Sequence, residues 1–294
     1  YDYRTVIKYN PRYEKYIQGE IRRLGEDSDE FQMSYCLKWI LERGMFVNPE
    51  QFEKLGHENL GISLYDKTRK HVVGIDFGKK NDSTVVTVLE VDYDNPVIVE
   101  AAKDMNTPDY VAYNTTIKAW LEIVGDNYEE QYPQIIDFLS NFRIVRIVVD
   151  STGAGSPIAD RLAANVDCEV IPYVFSPAGK SALYKHFDAE IKSKRFGYPA
   201  DPATKETREY RRFVEQMINL QKTYSGQNML CSAPDERGAH DDYCDSAALA
   251  VWGSKGEDVS TPVNEPNPFH NQIKQNNRNF YVARNRYTAA RRVR

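Results

Sequence analysis

An acidic cluster stands at the start of the last apolar segment of the chain. The sequence HDDYCDSA, residues 240–247, places three aspartates and one histidine directly before an apolar run that ends at Trp252. If a helix begins near Asp241, then Asp241 and Asp245 share one face, while Asp242 projects about 100° from Asp241. The helix dipole favours acids in a first turn, but it accounts for one or two of them. We therefore expect a bound cation, with either Asp241 or Asp242 as its ligand and the other as support.

Two further aspartates follow apolar runs that are typical of central strands. Asp76 ends the run HVVGID, and Asp150 ends the run RIVRIVVD. Because ligands of open α/β sheets bind beyond the carboxyl ends of the strands, both side chains are expected in one crevice if their strands are neighbours. Either aspartate alone could equally cap a turn. Asp82 is expected to tighten the turn after Asp76 or to support the site, and His240 either assists the acids or serves as a hydrogen-bonding residue.

Three convergent carboxylates have a recognisable chemistry. They bring a charge of about −3 into one pocket, which two divalent cations would change to about +1. Such a pocket can bind a phosphodiester, activate a water molecule on one side and stabilise the leaving oxygen on the other. Because carboxylates are hard oxygen ligands, Mg²⁺ or Mn²⁺ is favoured over Zn²⁺.

The elements around these acids predict a mixed sheet. Three consecutive strands are expected between residues 71 and 102, and parallel strands are expected to end at Asp150 and near Phe175. The predicted fold is thus α/β, with a five-stranded sheet of three antiparallel strands followed by parallel strands, and helices on both faces. The other predicted elements are a strand at 3–9, helices at 11–24, 28–43, 108–124, 133–140, 181–194 and from about 241, a helix with Pro157 in its first turn, and a helix and hairpin within 207–233.

Composition narrows the range of partners. The net charge of −5 and the isoelectric point of about 5.7 argue against a protein that coats nucleic acid by bulk electrostatic attraction. Any polyanion partner would therefore have to bind at a local basic patch. The four cysteines form no CxxC pair, which predicts neither a zinc knuckle nor a disulfide framework and fits a reducing cytosol. No apolar stretch reaches the roughly 18 residues that span a bilayer, so no membrane partner is expected. A basic stretch after the fifth strand could contact DNA backbone, although a solvated helix face explains it equally well; its members are Lys180, Lys185, Lys192, Lys194 and Arg195.

Three segments in this order resemble one known family. GIDFGKKNDSTVV, IVVDSTGAGSPIADRL and HDDYCDSAALA are similar to motifs in the nuclease domain of the large terminase subunit of tailed bacteriophages, which has a ribonuclease H-like fold. The resemblance implies that Asp76, Asp150 and Asp242 form the catalytic, metal-binding triad. It also implies that Asp241, Asp245 or His240 assists the triad. The two aspartates would do so as further metal contacts, and the histidine as a supporting residue.

The resemblance carries expectations about biology and domain organisation. It implies endonucleolytic cutting of concatemeric double-stranded viral DNA, a small terminase subunit and a portal protein as partners, and action in the cytoplasm of the infected bacterial host. The segment SDEFQMSYCLKWILERGMF resembles the stretch that joins the family's packaging ATPase to its nuclease. We therefore interpret residues 1–65 as a linker to an ATPase domain outside this sequence, residues 66–253 as the nuclease domain, and residues 254–294 as a basic, flexible tail.

Two other functions compete with a nuclease. The segments DFGKKNDST and DSTGAGS superficially resemble the phosphate loops of actin-like and sugar-kinase-like ATPases, but the Gly-Gly adenosine motif of that superfamily is missing. The second alternative is a non-catalytic module that docks on DNA or on the portal through its basic segments. A module that had lost catalysis would be expected to have lost some of its site residues, and the acids at all three motif positions are intact, which argues against this alternative.

Overall fold

The computed structural model describes residues 2–38, 43–78, 83–99, 110–125, 128–152, 155–236 and 238–255. Its strands are β1 Arg43–Met45, β2 Gly56–His57, β3 Asp66–Asp76, β4 Ser83–Val91, β5 Val97–Val99, β6 Tyr110–Ala112, β7 Thr115–Val124, β8 Phe142–Asp150, β9 Glu169–Tyr173, β10 Phe196–Pro199, β11 Gln221–Ser225 and β12 Asn228–Ser232. Its helices are α1 Tyr3–Tyr9, α2 Tyr13–Leu24, α3 Asp29–Tyr35, α4 Pro49–Glu53, α5 Tyr128–Leu139, α6 Gly155–Ala163, α7 Pro177–Lys192, α8 Pro202–Lys205, α9 Arg208–Asn219 and α10 Asp242–Gly253.

A seven-stranded sheet in the order β2-β10-β7-β4-β3-β8-β9 forms the centre of the protein. Strand β4 pairs with β7 and with β3, and both pairs are antiparallel. Strand β8 pairs with β3 and with β9, and both pairs are parallel. This confirms the predicted mixed sheet of three antiparallel and two parallel strands. Two short strands, β10 and β2, extend it beyond β7 in parallel orientation.

Helices cover both faces of the sheet, as the sequence predicts. Alternate residues of β3 face opposite sides because successive side chains of a strand point in opposite directions. Val73 and Ile75 pack in a core with Ile135 of α5 and Leu162 of α6. The other core is built from α7, α9 and α10, and it contains Val148 of β8. Each aspartate at the end of a strand therefore faces one of these two cores, on one side of the sheet or the other.

Helix α10 lies directly on β3 because small residues meet there. A Cβ atom added to Gly74 would overlap the backbone of Ser246 and Ala250. A Cβ atom on Gly253 would lie 2.6 Å from Cγ1 of Val72, so the helix runs back along the strand toward its amino end. The beginning of α10 is consequently held beside the carboxyl end of β3.

Several predicted elements near the amino terminus and in the middle of the chain are wrong. Residues 3–9 form helix α1, in which Asp2 caps the first turn and Tyr3 packs edge-on against Phe31. The helix predicted over 28–43 is confined to α3 within the described residues, and residues 39–42 lie outside them.

The region predicted as a helix over 108–124 contains β6 and β7 instead. Strand β7 is the third antiparallel strand of the main sheet, since Thr115, Ile117 and Ala119 alternate toward the interior. The run near Val97 that was expected in that place forms β5, which pairs with β6 in a separate two-stranded sheet. The alternation of buried and partly buried side chains at the start of β7 is typical of a strand and not of a helix.

Residues 2–65 pack against the rest of the described chain rather than standing apart from it. Strand β1 pairs with β11, β2 pairs with β10, and a core of Tyr3, Ile17, Leu24 and Phe31 includes Ala189 of α7. The predicted tail lies outside the described residues from position 256 onward. Across the residues that are described, no helix has the length and apolar character needed to cross a membrane.

Candidate active site

The carboxyl ends of β3 and β8 bring two of the predicted acids to the same edge of the sheet. The strands are parallel neighbours in which Ile75 is paired with Val149, so Asp76 and Asp150 follow side by side. Both aspartates project toward α10, because the residues two positions earlier, Gly74 and Val148, face that helix. Asp150 is buried, whereas Asp76 keeps partial exposure.

The beginning of α10 adds two more acids to this edge. Asp242 and Asp245 are both buried, with 6% and 4% of their surfaces exposed. Burial raises the pKa of Asp76 well above its usual range, and the charges of Asp245, Asp242 and Asp150 raise it further. The four carboxylates therefore form one electrostatic cluster, called here the acidic edge, made of Asp76, Asp150, Asp242 and Asp245.

A lysine of α7 partly neutralises this cluster. Lys180 Nζ donates to Asp245 Oδ2 at 2.8 Å and lies 3.5 Å from Asp241 Oδ2. Burial opposes the charge of the ammonium group, but Asp245 and Asp241 outweigh that cost and raise the pKa of Lys180. The hydroxyl group of Tyr184, one turn further along α7, donates to the other oxygen of Asp245. Both oxygens of Asp245 are thus engaged within the protein.

The other acids and the histidine have distinct contacts. Asp150 Oδ1 accepts a hydrogen bond of 2.8 Å from the backbone of Thr152, which orients the carboxylate at the strand end. Asp241, at the N-cap position of α10, accepts from the backbone of Ala233 at 3.3 Å. His240 Nδ1 lies 3.8 Å from Asp242 Oδ2. The structure thus groups Asp241 and His240 with the acidic edge, whereas Asp82 lies outside the described residues.

The basic stretch predicted as a DNA contact does not form one surface. Lys180 points into the acidic edge, whereas Lys185 and Lys192 lie roughly 120–140° around α7 and donate to Gln227 O and Gln51 Oε1. Arg195 is buried, and its guanidinium pairs with Glu190 and donates to the carbonyl groups of Arg22 and Arg23. Lys194, just beyond the helix, is the one exposed member of the stretch. The contacts of Arg195 in the described chain are therefore internal, and its contact with DNA stays a prediction.

Sequence reasoning missed the function of α7 in the site. The spacing of Lys180 and Tyr184, four residues apart on one helix, was visible in the sequence and places both on one face. Their shared partner, Asp245, is 65 and 61 residues away, however, and only the packing of α7 against α10 brings them together.

The donor set of the acidic edge fits hard divalent cations. It offers carboxylate oxygens, which are the ligands that Mg²⁺ and Mn²⁺ prefer. Among the described residues, no three of these acids bring one oxygen each within 4.8 Å of one another. Since two ligands of one ion about 2.1 Å away lie no more than about 4.2 Å apart, the spacing is too wide for a three-carboxylate cage around one ion. It is compatible with acids distributed over two ions.

The sheet order and the acids at its edge define a ribonuclease H-like domain. A sequence model of the family described as Terminase RNaseH-like domain matches residues 73–252, which is more than half of the chain. The chain therefore belongs to the terminase RNaseH-like domain family. No curated protein sequence matches the chain.

Several solved structures of phage large terminases are similar to the chain. The large terminase of a thermophilic bacteriophage, solved in complex with ADP, is 12% identical with a TM-score of 0.50, and the match covers 80% of this chain and 50% of that chain. The large terminase nuclease from thermophilic phage G20c with bound magnesium is 21% identical with a TM-score of 0.47, over 64% and 83% of the two chains. The nuclease domain of the large terminase subunit gp2 of bacterial virus Sf6 is 8% identical with a TM-score of 0.45, over 71% and 98%.

Proposed function

We propose that the chain is a metal-dependent DNA endonuclease of a viral genome-packaging motor, which cuts concatemeric double-stranded DNA by two-metal phosphodiester hydrolysis. The observation that carries the proposal is the acidic edge, where carboxylates from β3, β8 and α10 meet, and where burial together with their charges raises the pKa of Asp76. Family membership supports the nuclease class. The site would hold two Mg²⁺ or Mn²⁺ ions, and the structure of the G20c terminase nuclease contains magnesium.

In this proposal Asp76, Asp150 and Asp242 are the ion ligands. The ions would supply activation of water and neutralisation of charge on the scissile phosphate. Asp150 is held ready by the backbone of Thr152, and Asp242 is held by the short approach of α10 to Gly74. These contacts fix the carboxylates before substrate arrives, so little reorganisation is required during reaction.

Asp245 and Asp241 have a supporting role in the same proposal. Because Lys180 and Tyr184 occupy both oxygens of Asp245, this acid anchors α7 to α10 and orients the first turn that carries Asp242. Lys180 also places one positive charge beside the acids, which limits their mutual repulsion before cations bind. His240, next to Asp242, supports the carboxylate from the solvent side.

The substrate and the partners follow from the family. Double-stranded DNA would be cut with weak sequence preference, because no element of the described chain presents a base-reading module. The small terminase subunit and the portal protein are the proposed partners, and the cytoplasm of the infected bacterial host is the proposed location. These assignments go beyond this domain, since the chain matches half the length of the ADP-bound large terminase.

A plasmid assay tests the proposal. Supercoiled plasmid is incubated with Mn²⁺ or Mg²⁺, with and without ATP, and with wild type, Asp150→Asn or the matched control Asp160→Asn on the exposed side of α6. Nicking and linearisation should need the metal, should not need ATP, and should be lost only in Asp150→Asn. Cleavage that depends on ATP would favour the actin-like ATPase. Binding of DNA without metal-dependent cleavage would favour the docking module.

A further inference from the structure

A second cluster of ligand-type side chains lies at the other end of β3. His71 is paired directly across the sheet with Glu90 of β4, and Asp66 begins β3. One ligand atom from each of Asp66, His71 and Glu90 lies within 4.8 Å of the others. Asp76 follows His71 by five residues, or about 17 Å along the strand. His71 packs edge-on against Phe142, which belongs to the core on the face opposite α10. The cluster is therefore separate from the acidic edge.

The histidine in this cluster is buried with its polar atoms unsatisfied. His71 has an exposed fraction of 0%, and neither Nδ1 nor Nε2 has a partner in hydrogen-bond geometry among the described residues. A buried polar group without a partner is costly, and an imidazole nitrogen is a common ligand of transition-metal ions.

In each of the two carboxylates, one oxygen has closer contacts with other groups than the second oxygen has. Asp66 Oδ1 accepts from the backbone of Thr68 at 2.8 Å, from its hydroxyl group at 2.7 Å and from the backbone of Arg69 at 3.2 Å. Its other oxygen, Oδ2, lies 3.8 Å from Nε2 of His71. Glu90 Oε2 is 2.9 Å from Lys118 Nζ, whereas Oε1 is only loosely paired with Arg69, at 3.9 Å.

The distance between His71 and Asp66 suits two ligands of one ion. Two ligands that each lie about 2.1 Å from a metal are separated by up to about 4.2 Å, so the 3.8 Å between His71 Nε2 and Asp66 Oδ2 needs no rearrangement. Arg69 would yield Glu90 Oε1 and keep its contact of 3.3 Å with Asp94. A cavity of about 420 Å³, which Arg69 also lines, lies beside this end of the sheet.

We propose that Asp66, His71 and Glu90 form a second metal site, which takes one divalent first-row transition-metal ion of the Zn²⁺ type and joins the start of β3 to the end of β4. The imidazole distinguishes this site from the carboxylate-only acidic edge, because nitrogen ligands favour Zn²⁺ over Mg²⁺. Its role is structural, since the ligands come from adjacent strands at the edge of the core. The proposal is independent of the nuclease function.

Zinc binding by the full chain tests this site. The Asp150→Asn protein serves as the background, so that ions at the acidic edge are reduced, and Zn²⁺ alone is titrated by calorimetry with metal analysis of the dialysed protein. One tightly bound Zn²⁺ per chain is expected, together with a higher melting temperature. Adding Asp66→Asn or Glu90→Gln should remove that ion, whereas adding the matched control Asp94→Asn, which also removes a carboxylate partner of Arg69, should retain it.

A spectroscopic measurement follows the histidine ring itself, and the substitution of His71 serves only to assign its signal. Ring ¹⁵N signals of the five histidines are recorded as Zn²⁺ is added. The signal that His71→Gln removes should shift at one equivalent in the background protein and should stay unshifted in Asp66→Asn, which preserves the packing of the ring. If the background protein binds no stoichiometric Zn²⁺, or if the shifted ring is that of another histidine, the proposed site is wrong.

Discussion

The two ends of β3 both carry an aspartate, but their surroundings act on the acid in opposite directions. At Asp76, burial and the charges of Asp245, Asp242 and Asp150 raise the pKa. At Asp66, burial also acts to raise the pKa, but hydrogen bonds from Thr68 and Arg69 outweigh it and the pKa is lowered. The protein thus supplies the partners of one carboxylate and accumulates like charge around the other.

This difference indicates how each end would use a cation. The acidic edge offers only oxygen ligands and excess negative charge, which suits hard divalent ions bound together with a phosphodiester. The Asp66 end offers one imidazole and two carboxylates that have other contacts, which suits one structural ion. Substitutions at the two ends should therefore separate cleavage from zinc binding.

The largest expected effect is on cleavage at the acidic edge. Changing Asp76 or Asp150 to Asn removes a proposed ion ligand and should lower the rate of metal-dependent plasmid cleavage by at least about 10³-fold, or about 4 kcal/mol in the barrier. Initial rates in Mn²⁺ with purified proteins measure the effect. The Asp66→Asn variant is the control at the other end and should cleave at the wild-type rate. Equal losses at both ends would abolish the distinction between them.

The next largest effect concerns the packing of α10 on β3 at Gly74. A methyl group at Gly74 would overlap the backbone of α10, so Gly74→Ala should destabilise the protein by about 3 kcal/mol and move Asp242 away from Asp76. Urea unfolding monitored by circular dichroism measures the loss. Gly44→Ala, where an added Cβ meets nothing within 4 Å, is the matched control and should leave stability within about 0.5 kcal/mol. An unchanged midpoint for Gly74→Ala would show that α10 can shift without cost.

A buried acid of α7 provides a further comparison. Asp188 of α7 is buried, and burial raises its pKa to about 6 although Lys192 and Lys222 act to lower it. Between about pH 4 and pH 6 the folded protein then binds more protons at this residue than the unfolded chain does. The Asp188 contribution to stability is therefore greatest at low pH and is lost as the pH rises through this window.

The corresponding prediction is made for Asp188→Asn. This variant should be more stable than wild type by about 2 kcal/mol at pH 7.5, and the difference should shrink toward pH 4.5. Chemical unfolding at both pH values measures it, with Asp160→Asn, an exposed acid on α6, as the control. A difference that grows as the pH falls would have the wrong sign and would contradict the raised pKa.

The central fold could be predicted because its strands carry local signals. The apolar runs ending at Asp76 and Asp150 and the helix after Asp241 are recognisable from short stretches, and their order defines the sheet. The segment from Thr115 to Val124 could not be assigned in this way, since its polar and apolar residues fit both a helix and a half-buried strand until its partners in β4 are known. The strand predicted at 3–9 is also wrong, because this segment forms helix α1, in which Asp2 caps the first turn and Tyr3 packs against Phe31.

The candidate site was predictable in its acids but not in its supporting contacts. Carboxylates at strand ends and at a helix start are visible in the sequence, and the sheet topology then requires them to meet. The ion pair of Lys180 with Asp245 is not visible, because it joins residues that are 65 positions apart through the packing of two helices. The position of His71 opposite Glu90 likewise depends on the register of β3 and β4.

The smallest predicted effect separates two acids of one helix. Asp242→Asn removes a proposed ion ligand and should reduce cleavage as strongly as Asp150→Asn, whereas Asp245→Asn should reduce it only about tenfold, or about 1.4 kcal/mol in the barrier. The amide of Asp245→Asn can still accept from Tyr184 or Lys180, so α10 keeps its place while the ion pair is weakened. Tyr184→Phe, which removes the other anchor of the same carboxylate, should match Asp245→Asn in activity.

Cleavage rates at several Mn²⁺ concentrations distinguish the roles, since only loss of a ligand should raise the metal requirement. A higher Mn²⁺ requirement in Asp245→Asn than in Asp242→Asn would mean that Asp245 is the ligand and Asp242 its support.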